Sequence, residues 1–152
     1  MAKAAKPAAS KKTTSKNEIG IKYTDKSPGQ PALVPIFEAI TQLLKPYEKG
    51  SLKLRGGKAG QTALVSEKKV VIDGRERTEI WFAAALVQKG YVGFYLTAVY
   101  DPAIQKQLHP DLLRCLKGKT CFHIKTFDPK TAAQIADALK LAYKTTQQLG
   151  WL

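Results

Sequence analysis

Leu116-Lys117-Gly118-Lys119-Thr120-Cys121-Phe122-His123-Ile124-Lys125 is the stretch that most constrains what this 152-residue chain can fold into. Gly118 supplies a turn, and Thr120–Lys125 alternates its side chains as a strand does. Asp128-Pro129 then opens a long amphipathic segment, with Asp as the N-cap and Pro at the first helical position. In that segment Ile135, Leu139, Ala142, Thr146 and Leu149 share one helical face, and Gly150 is placed to cap its end. A strand that feeds directly into an amphipathic helix needs a sheet to join and an apolar layer to cover.

The preceding residues supply both. Leu33, Ile36, Phe37, Ile40, Leu43 and Leu44 recur at three- and four-residue spacing, which predicts a helix with one apolar face, ended by Pro46 and Gly50. Beyond Gly50 the period falls to two. Ser51–Arg55, Thr62–Ser66 and Val70–Asp73 read as short strands, and Asp73-Gly74 as a tight turn. Arg77–Gln88 and Tyr91–Tyr100 read as two longer strands about a Lys89-Gly90 hairpin. Simple alternation puts Ile80, Phe82 and Leu86 on one face and Trp81 and Val87 on the other, which predicts a central hairpin covered on both sides. Asp101-Pro102 starts a further helix, His109-Pro110 interrupts it, and Leu112, Leu113 and Leu116 continue as a second short helical piece. The order predicts an α+β fold: a mainly antiparallel sheet of about five to six strands packed against N- and C-terminal helices.

Charge narrows the partners. The 25 Lys and Arg against 12 Asp and Glu give a net charge of +13. Five of the lysines (Lys3, Lys6, Lys11, Lys12 and Lys16) lie in the first 17 residues, which hold no acid, so the remainder is still near +8. A field of that sign attracts nucleic acid, phosphate-bearing ligands or an anionic surface. Met1–Lys16 lacks large apolar residues after Met1, which predicts disorder, and Glu18–Gln30, with Ile19, Ile21 and Tyr23 in alternation, predicts a loosely held extended arm. The chain therefore divides into residues 1–30, a disordered basic tail with its arm, and one domain over residues 31–152. No apolar run approaches the roughly 18 residues of a membrane span, and the N-terminal lysines precede no secretory apolar region. Two cysteines, Cys115 and Cys121, read as reduced thiols, and the expected location is cytoplasmic.

Candidate chemistry is sparse. Cys121 and His123 stand two apart on one strand and face the same way. They fall short of the three or four ligands of a Zn or Fe site, and His109 lies elsewhere, so neither a metal nor a cofactor is expected. A Cys–His nucleophile lacks an orienting third residue. Arg55-Gly56-Gly57-Lys58-Ala59-Gly60 lacks the spacing of a phosphate-binding loop, although its amides with Arg55 and Lys58 can cradle an anion. Trp81, Tyr91, Tyr95 and Tyr100 interleave with Lys89, Lys119 and Lys125, the pairing of rings and cations that holds bases and phosphates. The expected ligand-binding residues are Trp81, Tyr91, Tyr95, Lys119, His123, Arg55 and Lys58, with no catalytic residue.

Several of these segments also carry a resemblance. Tyr91-Val92-Gly93-Phe94-Tyr95, Leu112-Leu113, Leu116-Lys117-Gly118-Lys119, Cys121-Phe122-His123-Ile124-Lys125 and Gly150-Trp151 resemble the YdhG-like domain family over roughly Pro31 to Leu152. The resemblance implies a compact α+β domain and assigns no activity. Some relatives are described as iron chaperones similar to frataxin, which implies metal handling as the alternative function. Frataxin-like iron delivery uses acidic ridges, whereas Glu76 and Glu79 here are flanked by Arg75 and Arg77. The reading taken forward is a non-enzymatic module that binds nucleic acid or another polyanion through the basic tail, the basic loop region 45–58 and the exposed part of the sheet.

Overall fold

The computed structural model describes residues 23–152. The tail Met1–Lys16 and the first part of the arm lie outside the described residues. Helix α1 (Val34–Leu44) opens with Pro35 in its first turn and buries Ile36, Phe37, Ile40, Thr41 and Leu44. A 3₁₀ turn at Lys45–Tyr47 ends it. Seven strands follow: β1 (Leu52–Lys58), β2 (Gln61–Ser66), β3 (Val70–Ile72), β4 (Arg75–Arg77), β5 (Ile80–Gln88), β6 (Tyr91–Leu96) and, later, β7 (Cys121–Ile124). Between β6 and β7 lie a 3₁₀ turn at Thr97–Tyr100 and two single-turn helices, α2 (Pro102–Gln105) and α3 (Pro110–Leu113). The long helix α4 (Pro129–Gln148) closes the chain. The fold is α+β, as the residue pattern predicts.

Five strands form one antiparallel sheet in the order β1-β2-β5-β6-β7, while β3 and β4 form a separate two-stranded ribbon. That ribbon turns through Asp73 and Gly74, both at positive φ (52° and 78°), the geometry of a two-residue hairpin turn. Because β4 pairs only with β3, the single strand expected over Arg77–Gln88 is broken at Thr78-Glu79. The strand expected over Tyr91–Tyr100 likewise stops at Leu96. There the chain coils so that Val99 is wholly buried and Tyr100 stays 62% exposed.

Helices α1 and α4 cover one face of the sheet. Ile36, Phe37, Ile40 and Leu44 of α1, with Ile135, Ala138, Leu139 and Ala142 of α4, pack on Leu52, Leu64, Phe94, Leu96, Phe122 and Ile124. A buried hydroxyl pair, Thr41 Oγ1 and Thr62 Oγ1 at 2.9 Å, ties α1 to β2 and satisfies both groups away from water. Leu149, expected on the buried face of the last helix, is 56% exposed, because α4 ends at Gln148 and Leu149 is already its C-cap.

The opposite face carries a smaller cluster of Ala63, Val65, Ala84, Leu86 and Tyr23, with Trp81 and Tyr95 packed against it. Here simple alternation fails. The register of β2 on β5 runs from Leu64 opposite Ala83 to Val65 opposite Trp81, which leaves Phe82 as an extra, bulged residue. The bulge sends Phe82 to the helix side, where its ring lies 6.1 Å from Tyr47 and 6.2 Å from Tyr143. Phe82 thus joins Val87 on the helix side and Trp81 joins Leu86 on the other, reversing the expected partition.

The arm is anchored where it is described. The Tyr23 hydroxyl donates to the Val87 carbonyl oxygen at 2.7 Å, and Gln30 bridges the β5–β6 turn through Gln88 O and Gly90 N. Burial raises the Tyr23 phenol to about 12, so it stays protonated and able to donate this bond.

Candidate nucleic-acid interface

The face away from the helices takes its chemistry from the β6–β7 edge. Strand pairing sets Gln88 opposite Tyr91, Gly93 opposite His123 and Tyr95 opposite Cys121. Side chains on a pleated sheet alternate, so Tyr91, Tyr95, Cys121 and His123 share this face. The rings of Tyr91 and His123 stack nearly parallel, with centroids 3.7 Å apart and planes inclined by 11°. Both residues remain partly exposed. Among the described residues no helix lies over them.

Gly93 is what lets the neighbouring ring lie down. A Cβ at Gly93 would stand 2.9 Å from Tyr95 Cε1 and 3.1 Å from its hydroxyl, so the Tyr95 ring folds back across the glycine backbone. Gln88 Nε2 donates to the Tyr95 hydroxyl at 3.4 Å. Burial, helped by Cys121, pushes the Tyr95 phenol up to about 12, and burial likewise raises the Cys121 thiol. Both groups are therefore protonated at neutral pH, and Cys121 is not an activated nucleophile.

His123 is tuned the other way. Burial lowers its pKa first, and the ammonium groups of Lys117 and Lys125 lower it further. The imidazole is neutral at pH 7 in a positive local field. Lys117 reaches this spot because Cys115–Lys117 runs beside β7: Lys117 N donates to Cys121 O at 2.8 Å, and His123 N donates to Cys115 O at 2.9 Å. Leu116 accordingly forms a bridge with Phe122 instead of continuing a helix. The helical piece in this region is α3, and His109 is its N-cap, with Nδ1 accepting from Asp111 N at 3.0 Å. His109-Pro110 is therefore a start signal, chemically parallel to Asp101-Pro102 and Asp128-Pro129.

The seven expected ligand-binding residues fall into four places. Tyr91, Tyr95 and His123 come together, and Trp81 shares their face in contact with the cluster around Tyr23 and Ala84. Arg55 pairs with Ala63 on the opposite edge strand, where Glu79 at 2.9 Å and Glu67 at 3.1 Å hold its guanidinium and raise its pKa. Its charge is already matched. Lys119 sits in the turn before β7 with its ammonium 5.3 Å from the Tyr100 ring centroid, outside the stack. Lys58 belongs to the helix side, on a cleft of about 630 Å³ between α1 and β1 that Glu38, Lys45 and Gly57 also line.

Lys117 is absent from the expected set, because leucine spacing places it at the end of a helix; the Lys117-Gly118 turn before an alternating segment was the available signal. Among the described residues no three His, Cys, Asp or Glu groups converge on a possible metal position. No described helix is long and apolar enough to cross a membrane. Comparison of the chain with protein-family models, with curated proteins and with solved structures finds no match to any of them.

Proposed function

We propose that the chain is a YdhG-like, non-enzymatic binding module that engages a polyanion electrostatically through the β6–β7 edge of its sheet. The observation that carries this reading is the unbalanced positive charge around His123. Lys117 and Lys125 depress the imidazole pKa and make no ion pair with a described carboxylate; Lys89 in the β5–β6 turn and Lys119 beside Tyr100 make none either. Six of the described acids are engaged elsewhere. Glu67 and Glu79 hold Arg55, Glu76 pairs with Lys69, and Asp111 pairs with Arg114. Asp101 and Asp128 cap helices through Ala103 N and Thr131 N. The net charge of +13 adds a long-range pull of the same sign. The two free thiols, Cys115 and Cys121, fit a cytoplasmic setting.

Salt dependence tests the reading. Four to six phosphate contacts on a single strand predict an affinity loss of roughly 50-fold or more between 50 and 200 mM salt. Anisotropy of a labelled polyphosphate or oligonucleotide reads this directly. Absence of binding at low salt, or binding that ignores salt, contradicts an electrostatic module.

A further inference from the structure

We infer that the Tyr91–His123 stack is a base-stacking platform, and that the polyanion this edge takes is a single-stranded nucleic acid. The inference rests on the polyanion reading and adds the part of the ligand that is not charged. Phosphates alone need cations and no rings. Here two aromatic rings are held parallel at 3.7 Å beside two lysines, and a third, Lys89, lies in the turn that precedes Tyr91. Bases offer flat π faces that continue such a stack whatever their identity, while the lysines track the backbone.

Three details favour stacking over a purely ionic surface. The His123 ring is neutral at pH 7, so it meets a base as an aromatic plane without a buried charge to desolvate. Gly93, opposite His123, has no side chain, and the Tyr95 ring fills the space above it as a further ring on this face. Tyr91 and Tyr95 are four residues apart on one strand, about 13 Å, a span that accommodates more than one unpaired nucleotide. A duplex fits this surface poorly. Its base faces are occupied by their own stack, and a broad sheet face does not enter a groove that admits a helix or a two-stranded ribbon.

The test uses the full chain and three labelled ligands of equal length at one salt concentration: a single-stranded oligothymidine, an abasic oligonucleotide and a duplex. The single strand is expected to bind about 10-fold or more tightly than the abasic backbone, with the duplex weaker than the single strand. Tyr91→Ala should lose about 10-fold or more on the single strand and leave the abasic ligand unchanged, while Tyr91→Phe, which keeps the ring, should retain the advantage. Thermal midpoints of both variants confirm that the fold is intact. Equal binding of single strand and abasic ligand overturns the stacking platform and leaves the electrostatic module standing. An equal loss on both ligands in Tyr91→Ala, or a duplex bound as tightly as the single strand, overturns it too. Failure of every ligand to bind at low salt removes the polyanion reading itself.

Discussion

Gly60→Val should destabilise the fold by about 3 kcal/mol or more, the sum of a strained backbone and an overfilled contact. Gly60 adopts φ +72°, which costs a β-branched residue about 1–2 kcal/mol before any contact is considered. A Cβ there would stand 2.7 Å from the Tyr23 hydroxyl, 2.8 Å from Asp25 Oδ1 and 3.3 Å from Val87 Cβ. These atoms are not free to move aside. Tyr23 is 6% exposed and bonded to Val87 O, and Asp25 Oδ1 accepts from Ser27 N and Ser27 Oγ. Relieving the clash therefore lifts the arm off the sheet and uncovers Ala63, Val65, Ala84 and Leu86. For a domain of this size a loss of 3 kcal/mol lowers the thermal midpoint by roughly 10 °C. A midpoint within a degree or two of wild type would mean that the Tyr23 anchor contributes little.

The second large effect belongs to binding. Lys117→Glu combined with Lys125→Glu should weaken polyanion binding roughly 100-fold at low salt, because two phosphate contacts are lost and two repulsions are introduced. Both side chains are exposed, and neither forms an ion pair with a described residue, so the thermal midpoint should hardly change. The same variant carries an internal control. Lysines at these positions lower the His123 pKa, so carboxylates in their place should raise it above the wild-type value. A proton NMR titration follows that shift. A raised His123 pKa with unchanged affinity would show that the charges were replaced correctly and that the ligand binds elsewhere.

The parts of this molecule that are legible in the sequence are those governed by neighbours along the chain. Asp101 and Asp128 announce α2 and α4 because each caps its own helix two or three residues on. Cys121 and His123 share a face because they sit two apart on an uninterrupted strand. The failures have tertiary causes. Nothing within Ile80–Gln88 signals that Phe82 is bulged, since the bulge is set by the register of β2, and one bulged residue moves every side chain beyond it to the other face. The matched charge of Arg55 needs Glu67 and Glu79, which lie 12 and 24 residues away and approach only when β1, β2 and β5 align. Tyr23 reads as part of a loosely held arm until its hydroxyl finds Val87, 64 residues on. The pairing of Tyr91 with His123 is likewise a product of β6 lying beside β7.

Amide chemical-shift mapping of the isotopically labelled protein, titrated with a single-stranded oligonucleotide at low salt, tests the binding site most directly. The account predicts the largest shifts at Tyr91, Gly93, Tyr95, Lys117, Cys121, His123 and Lys125, on one sheet face. Shifts confined instead to the cleft of Glu38, Lys45, Gly57 and Lys58 between α1 and β1, or no shifts at all, would contradict it.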